Sequence, residues 1–408
     1  MYKSIFTLSF SNALFSISSL LGLAVLSKLL ELNQYGLFAF SLSLAITIQT
    51  IFNTQSWQGI LKLDKYYNNL LYKCFLVDIT ASSLGAITYL ITIQWFTAIL
   101  TGGEFQLWQF TLAASVLFTP NGTALSVIRK QNKFFGQSIV DSIAAICRLV
   151  LMVLCYILDV DAYVAVAAYT FPEALKWIGY VLISYQAKPN QIKNNEVASK
   201  DILIVYKFSI WGVLNEIAHL PSAQLDRLIC ASFISLEVLA LYDIIKRICT
   251  SVVYVTNPII QVVYPNFISS IKENGVRSSF YFLKNTISLL LLFTSCIYFL
   301  IFISKSIWGS ILFSIPKSTW SEGYEYLLML FCLSLIVTFS FVPVHPFFLA
   351  LGKARMAFFI SFFGSLIYLI TIYCVAYFSS FYYLPLAILL SDGFIISFKL
   401  REIYKEIS

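Results

Sequence analysis

Charge is scarce in this sequence. Asp, Glu, Lys and Arg make up 12% of its 408 residues, against about 25% in soluble domains, and the shortage excludes a water-soluble fold. No G-x-x-x-x-G-K-[ST], G-x-G-x-x-G or H-E-x-x-H pattern occurs, which removes the phosphate cradle of an ATPase motor, a dinucleotide site and a zinc-protease site from consideration. There are 2 His, His219 and His345, and neither has a partner at metal-ligand spacing, so both read as packing or hydrogen-bonding residues. The 8 Cys lie within or at the ends of apolar runs without any C-x-x-C pair, and read as packing residues too. Neither a metal nor a cofactor is expected. The sequon Asn121-Gly122-Thr123 is discarded as a glycosylation site, because it falls near the cytoplasmic end of an apolar run.

Apolar and aromatic residues take the place of charge. The hydrophobic fraction is 59% and the aromatic fraction 17%, with 36 Phe and 25 Tyr, and the mean hydropathy is +0.82. Such a composition suits lipid-facing surfaces and interfacial belts better than one compact core. The net charge of +7 does not point to nucleic acid, since the cations sit in short loops between apolar runs, where they orient the chain in a membrane. The N-terminus has one Lys before its apolar run and no small-residue cleavage site after it, so an uncleaved first span is expected.

Crossing about 30 Å of hydrocarbon takes about 20 helical residues. Twelve apolar stretches meet that need, at 8–30, 37–61, 74–100, 105–128, 138–158, 162–185, 205–233, 239–264, 280–303, 326–351, 356–378 and 382–400. With the N-terminus inside, nineteen of the 27 Lys and Arg fall on cytoplasmic segments, three (Lys28, Lys305, Lys317) on the opposite face, and five within spans. That asymmetry predicts a multi-pass inner-membrane protein with both termini in the cytoplasm. The fold class expected is all-α and polytopic: a six-helix bundle at 1–187, a polar, Lys-rich cytoplasmic linker at 188–204 and a second six-helix bundle at 205–408. An even number of spans per half makes the two repeats parallel, as in several alternating-access transporters.

Polar residues on spanning helices should face protein or water. At 100° per residue, Asp243, Lys246, Arg247, Thr250, Tyr254, Asn257 and Gln261 fall on one arc of about 80° in the eighth span. Glu216, His219, Asp226 and Arg227 share an arc of about 100° in the seventh. Gln49, Asn53 and Ser56 repeat the pattern in the second span, and Ser9, Asn12, Ser16 and Ser19 in the first. Ser, Asn and Gln at this spacing also glue helices together. For the eighth span, three charges with four polar groups suit a wet cavity better than a dry contact.

Arg227 lies about as far below the outer membrane face as Lys246 and Arg247, at roughly 10 Å. Asp226 and Asp243 can pair with two of these three cations. In the first half Arg148 is level with Glu173, and Lys176 is one turn away. Counting Glu173, Glu216, Asp226, Asp243 and Asp392 against Arg148, Lys176, Arg227, Lys246 and Arg247 leaves no net charge. Local pairing leaves one positive charge in excess around Lys246/Arg247 and another around Arg148/Lys176. Glu216 and Asp392 lack an obvious partner, and are candidates for H⁺ or Na⁺ binding because a buried carboxylate needs a compensating cation.

These residues resemble a family, the Wzx-type polysaccharide transporters (O-antigen and capsule flippases) of the multidrug/oligosaccharidyl-lipid/polysaccharide exporter superfamily. The resemblance rests on Ser27-Lys28 through Asn33-Gln34-Tyr35-Gly36-Leu37-Phe38, on Pro172-Glu173-Ala174-Leu175-Lys176, and on Leu225-Asp226-Arg227-Leu228-Ile229. Glu237 to Tyr242, Tyr264-Pro265 and Leu351-Gly352-Lys353 extend it, and Ala240 departs from the family's usual Gly.

The resemblance implies two bundles around a central cavity. It also implies flipping of an undecaprenyl-pyrophosphate-linked oligosaccharide, a repeat unit of lipopolysaccharide O-antigen or capsule, from the cytoplasmic to the periplasmic leaflet. The diphosphate would then be held by Arg227, Lys246, Arg247, Arg148 and Lys176, and the sugars by Asn12, Asn53, Tyr254, Asn257 and Gln261. A polysaccharide polymerase and a chain-length regulator are the protein partners implied. Two other functions fit the composition. A drug/cation antiporter of the same superfamily should present acidic rather than basic intramembrane positions. A membrane-embedded polysaccharide polymerase or glycosyltransferase should carry a sizeable external catalytic loop, whereas the longest one here holds only Lys305, Lys317, Glu322 and Glu325 as charged residues.

Overall fold

The computed structural model describes residues 2–62, 68–119, 122–131, 133–186, 199–378 and 381–407, with the backbone alone at 254–266 and a few other positions. Among the described residues there is no β-strand. The chain is an all-α polytopic membrane protein, and it forms two compact units, Met1–Leu220 and Pro221–Ser408. Residues 187–198, most of the expected linker, lie outside the described residues.

The first unit contains α1 (Tyr2–Leu29), α2 (Leu32–Phe52), α3 (Ser56–Lys62), α4 (Asn68–Phe96), α5 (Ala113–Leu117), α6 (Gly122–Lys130), α7 (Phe134–Ile157), α8 (Ala162–Gln186) and α9 (Ser199–Leu220). The second contains α10 (Asp226–Cys230), α11 (Leu236–Thr250), α12 (Val253–Ile303), α13 (Lys305–Phe313), α14 (Lys317–Thr319), α15 (Glu325–Ser340), α16 (Val344–Ala350), α17 (Ala354–Phe378) and α18 (Leu386–Ile407). Helix α9 packs with the first unit, with Val205 buried beside Ile60, Leu70 and Cys74. The gap between α3 and α9 is closed by Gly59, where an added Cβ would collide with the Val205 carbonyl.

Among the described residues nine helices are long and apolar enough to cross a membrane. The spans expected at 162–185, 205–233 and 239–264 are helical as well. They are less apolar because they carry Glu173 and Lys176, Glu216, Asp226 and Arg227, and Asp243, Lys246 and Arg247.

Helix α7 shows the solvent for which this chain is built. Ile139, Ile143, Ile146, Val150, Val153 and Ile157 recur every three or four residues and are all exposed, while Asp141, Ala144, Ala145, Arg148, Met152 and Cys155 are buried on the other face. A water-soluble helix has the opposite arrangement. Here lipid covers the aliphatic stripe, and charge must go inside because hydrocarbon cannot solvate it. Helix α2 is different. Every residue from Tyr35 to Ala45 is buried, as expected of a helix surrounded by others.

Three expected spans are interrupted. The second breaks at 53–55, where Gln55 adopts a left-handed φ of 50°. The fourth becomes a 3₁₀ turn (Leu107–Leu112) followed by α5 and then α6. The seventh passes through a π-turn at Pro221–Leu225, where Pro221 removes a backbone donor. A sharp reversal also falls inside α12. Gly275 has φ 78° and ψ 169°, and the rings of Phe267 and Phe282 meet at 5.4 Å, whereas fifteen residues of straight helix would hold them about 22 Å apart. Only glycine adopts that φ without strain. The reversal buries Phe267 with Leu283, Val344, Phe347, Phe348 and Ile403 in the core of the second unit.

Candidate functional site

The second unit gathers Arg227, Lys246 and Arg247 into one ionic network. Lys246 Nζ donates to Asp226 Oδ2 at 2.6 Å and to the Ser222 carbonyl at 2.7 Å. Tyr242 Oη donates to the same Asp226 oxygen at 2.5 Å. Asp243 takes two arginines: Arg247 Nε binds Oδ2 at 2.6 Å, and Arg227 Nε pairs with Oδ1. Arg227 also donates to the Ala223 carbonyl at 2.8 Å and to Gln224 Oε1 at 3.2 Å, both in the π-turn.

Local sequence explains the meeting. Asp243 and Arg247 are one turn apart on α11, a spacing that places them on one face, and the π-turn carries Arg227 to the same carboxylate. Desolvating charges costs several kcal/mol per ion, so the network persists in the unit's interior only because every ion in it has a partner. Among the described residues of the network three cations share two carboxylates, one more basic group than acidic. The side chains of Arg227 and Lys246 are 5% and 4% exposed and that of Arg247 is 18% exposed. Arg247 is therefore the most exposed cation of this network.

In the first unit the balance differs from expectation. Arg148 NH2 binds Glu173 Oε1 at 2.7 Å, as their common level suggested. Lys176 lies 3.6 Å from Asp141 Oδ1, which also accepts from Tyr180 Oη at 2.5 Å. Asp141 is missing from the sequence count of intramembrane acids, and its presence cancels the excess positive charge expected around Arg148 and Lys176. It lies at the start of α7, where a carboxylate normally reaches water, but here it is buried. Its spacing of seven from Arg148 places both on one helix face, a readable signal. Phe15 of α1 sits beneath both cations, with its ring centroid 4.4 Å from Arg148 and 4.2 Å from Lys176. Cation–π contacts of this kind contribute about 2 kcal/mol when desolvated, and they dock α1 on α7 and α8.

A second buried carboxylate also escapes the sequence count. Asp78 of α4 accepts from Thr54 Oγ1 (2.5 Å), Ser56 Oγ (2.8 Å), the Thr123 amide (2.9 Å) and Thr123 Oγ1 (2.7 Å). It thus ties the break in the second span to the first turn of α6. The polar run Asn53-Thr54-Gln55-Ser56 inside an apolar stretch was the available signal, since Asn and Ser favour turns.

The candidate sugar-binding residues fare unevenly. Asn12 is exposed on α1. Asn53 is half-buried, and its Oδ1 accepts from the Gln55 amide at 3.1 Å, closing the turn at the helix break. From the same stripes, Ser19 meets Tyr169 Oη at 2.9 Å, a contact between α1 and α8. The side chains of Tyr254, Asn257 and Gln261 lie outside the described residues. Of the two candidate coupling carboxylates, Asp392 accepts from the Thr338 hydroxyl and so has a partner. Glu216 is exposed on α9 and has no partner among the described residues.

The family model described as "Polysaccharide biosynthesis protein" matches residues 1–272. No curated protein matches the sequence. Several solved structures share the fold. The lipid II flippase MurJ in an inward closed conformation superposes with a TM-score of 0.73 at 13% identity, covering 97% of this chain and 87% of that one. An inward-facing multidrug resistance transporter of the MATE family, in the MOP superfamily, gives 0.69 at 10% identity, covering 98% and 94%. The MATE multidrug transporter DinF-BH gives 0.68 at 13% identity, covering 99% and 95%. At such identities the likeness establishes the fold alone.

Proposed function

Because the chain belongs to the polysaccharide biosynthesis protein family, we propose that it is a flippase for an undecaprenyl-pyrophosphate-linked oligosaccharide, moving an O-antigen or capsule repeat unit from the cytoplasmic to the periplasmic leaflet by alternating access. The observation that carries this reading is the odd cation of the second unit. Three basic side chains share two carboxylates, and Arg247 stands at the accessible edge. A diphosphate is best met by the planar fork of an arginine, while the prenyl chain stays in lipid. One neighbour of the same fold is named as a lipid II flippase, which agrees with a lipid-linked cargo, while two others are multidrug transporters. The excess of cationic over acidic charge in the network is the wrong sign for a drug cation.

The placement implied is the bacterial inner membrane with both termini cytoplasmic, next to a polymerase and a chain-length regulator. The test is a proteoliposome assay with a fluorescent polyprenyl-diphosphate oligosaccharide, scoring probe that becomes accessible on the far leaflet. Translocation well above empty vesicles, with no transport of a cationic dye, is expected. Dye transport without lipid translocation would favour the antiporter.

Coupling to H⁺ is assigned to Glu216, which is exposed on α9 and has no carboxylate-binding partner among the described residues. Glu216→Gln should flatten the pH dependence of translocation while leaving the yield of inserted protein unchanged. An unaltered pH profile would remove Glu216 from the mechanism.

A further inference from the structure

The helix that follows Gly275 carries a second set of cations, on its outer surface. At 100° per residue, Arg277, Tyr281, Lys284 and Ser288 fall within about 60° of arc, and all four are exposed. They line a groove of about 540 Å³ whose other wall is α18, with Tyr404 at the rim and Phe341 and Leu400 among its apolar lining. The ring of Phe280 meets Tyr404 at 5.2 Å and holds the two walls together. Among the described residues no carboxylate pairs with Arg277 or Lys284. The acids near the end of α18 are already engaged, Glu402 with Lys405 at 2.5 Å and Glu406 with Lys353 at 2.7 Å.

A groove with an aliphatic and aromatic floor, two cations without a carboxylate among the described residues and two tyrosine hydroxyls has the chemistry of a phospholipid: phosphate at one end, acyl chain at the other. Lys and Arg beside a membrane surface attract anionic lipid, and tyrosines sit at headgroup level. The groove is lined by residues of the second unit alone, and the positive-inside distribution would place its cations at the cytoplasmic leaflet. We propose that this groove is a binding site for an anionic phospholipid, separate from the ionic network at Arg247. The phosphate is held by Arg277 and Lys284, and one acyl chain lies along Ile287, Phe341 and Leu400. The assignment needs only that the chain spans a membrane, and it stands whatever the transported cargo is.

Native mass spectrometry of the full chain in detergent tests it, with phosphatidylglycerol and phosphatidylcholine of equal chain length as probes. The protein should retain phosphatidylglycerol in preference. Arg277→Gln with Lys284→Gln should weaken that retention about thirtyfold, from about 1 kcal/mol for each cation at 1.4 kcal/mol per tenfold. Both side chains are exposed, so the double variant should elute and melt like the parent. Lys73→Gln, which removes an exposed cation of the first unit outside the groove, should leave retention unchanged. Equal retention of the two lipids by the parent, or a preference that survives the double substitution, would overturn the site. Displacement of phosphatidylglycerol by an equimolar polyprenyl phosphate would overturn phospholipid as the occupant.

Discussion

Asp243→Ala is expected to cost about 3–5 kcal/mol of stability, the range for breaking a buried ion pair by removing one partner. Its carboxylate is fully buried, and each oxygen is taken by a different arginine. Removing it takes the shared carboxylate from both Arg227 and Arg247, and the two guanidinium groups then repel each other across the space vacated. In detergent the variant should be recovered largely as aggregate, with a thermal midpoint well below that of the parent. Adding Arg227→Met should restore part of the loss, because it removes the less exposed of the two arginines. A midpoint within measurement error of the parent would show that the network does not hold the second unit together.

A charge swap between positions 243 and 247 is a poor alternative test. An arginine at 243 would face Arg227, so the swap would fail for electrostatic reasons whatever the substrate is.

The class of the protein was legible because hydrocarbon imposes a strong rule on sequence. A chain this poor in charge can only be arranged as on α7, with aliphatic residues outward and Asp141 and Arg148 inward. Pairings between residues at equal depth were legible for the same reason: an ion in hydrocarbon must find its partner at its own level, as Arg148 finds Glu173. What could not be read was how many partners each acid takes. Asp243 binds two arginines only because the π-turn at Pro221–Leu225 brings Arg227 to it, and periodicity at a constant 100° does not foresee such a turn.

Acids near span ends are normally in reach of water, which concealed both Asp141 and Asp78. Among the described residues Asp78 has no charged partner to betray it, and four neutral donors satisfy it. Helix breaks were under-read where neither Pro nor Gly marks them. The interruption at 53–55 is held by Asn53 and by hydroxyls bound to Asp78, contacts made by side chains distant in sequence.

Arg247→Ala should abolish most flipping while the protein still folds, and the geometry of the network explains why both can be true. Asp243 keeps Arg227 and Asp226 keeps Lys246, so no buried carboxylate is orphaned when Arg247 is removed. The two remaining cations balance the two acids, and the variant's melting midpoint should stay within a few degrees of the parent's. What disappears is the one cation in excess, which is also the most exposed of the three. If it grips the diphosphate, its loss removes a charge-assisted contact of about 1.5–3 kcal/mol, or roughly ten- to hundredfold in translocation rate. Lipid-linked oligosaccharide should then accumulate in the cytoplasmic leaflet of cells carrying the variant at matched protein level. Arg247→Lys should retain part of the activity, because the charge survives while the two-pronged contact with phosphate does not. Arg227→Ala gives the contrast: it acts on a side chain only 5% exposed and should lower stability and flipping together. Full periplasmic delivery by Arg247→Ala would show that the odd cation serves the fold alone. Arg148 is buried and paired with Glu173 at 2.7 Å, so Lys176, more exposed and at a looser 3.6 Å from Asp141, would be the next basic residue to test against the diphosphate.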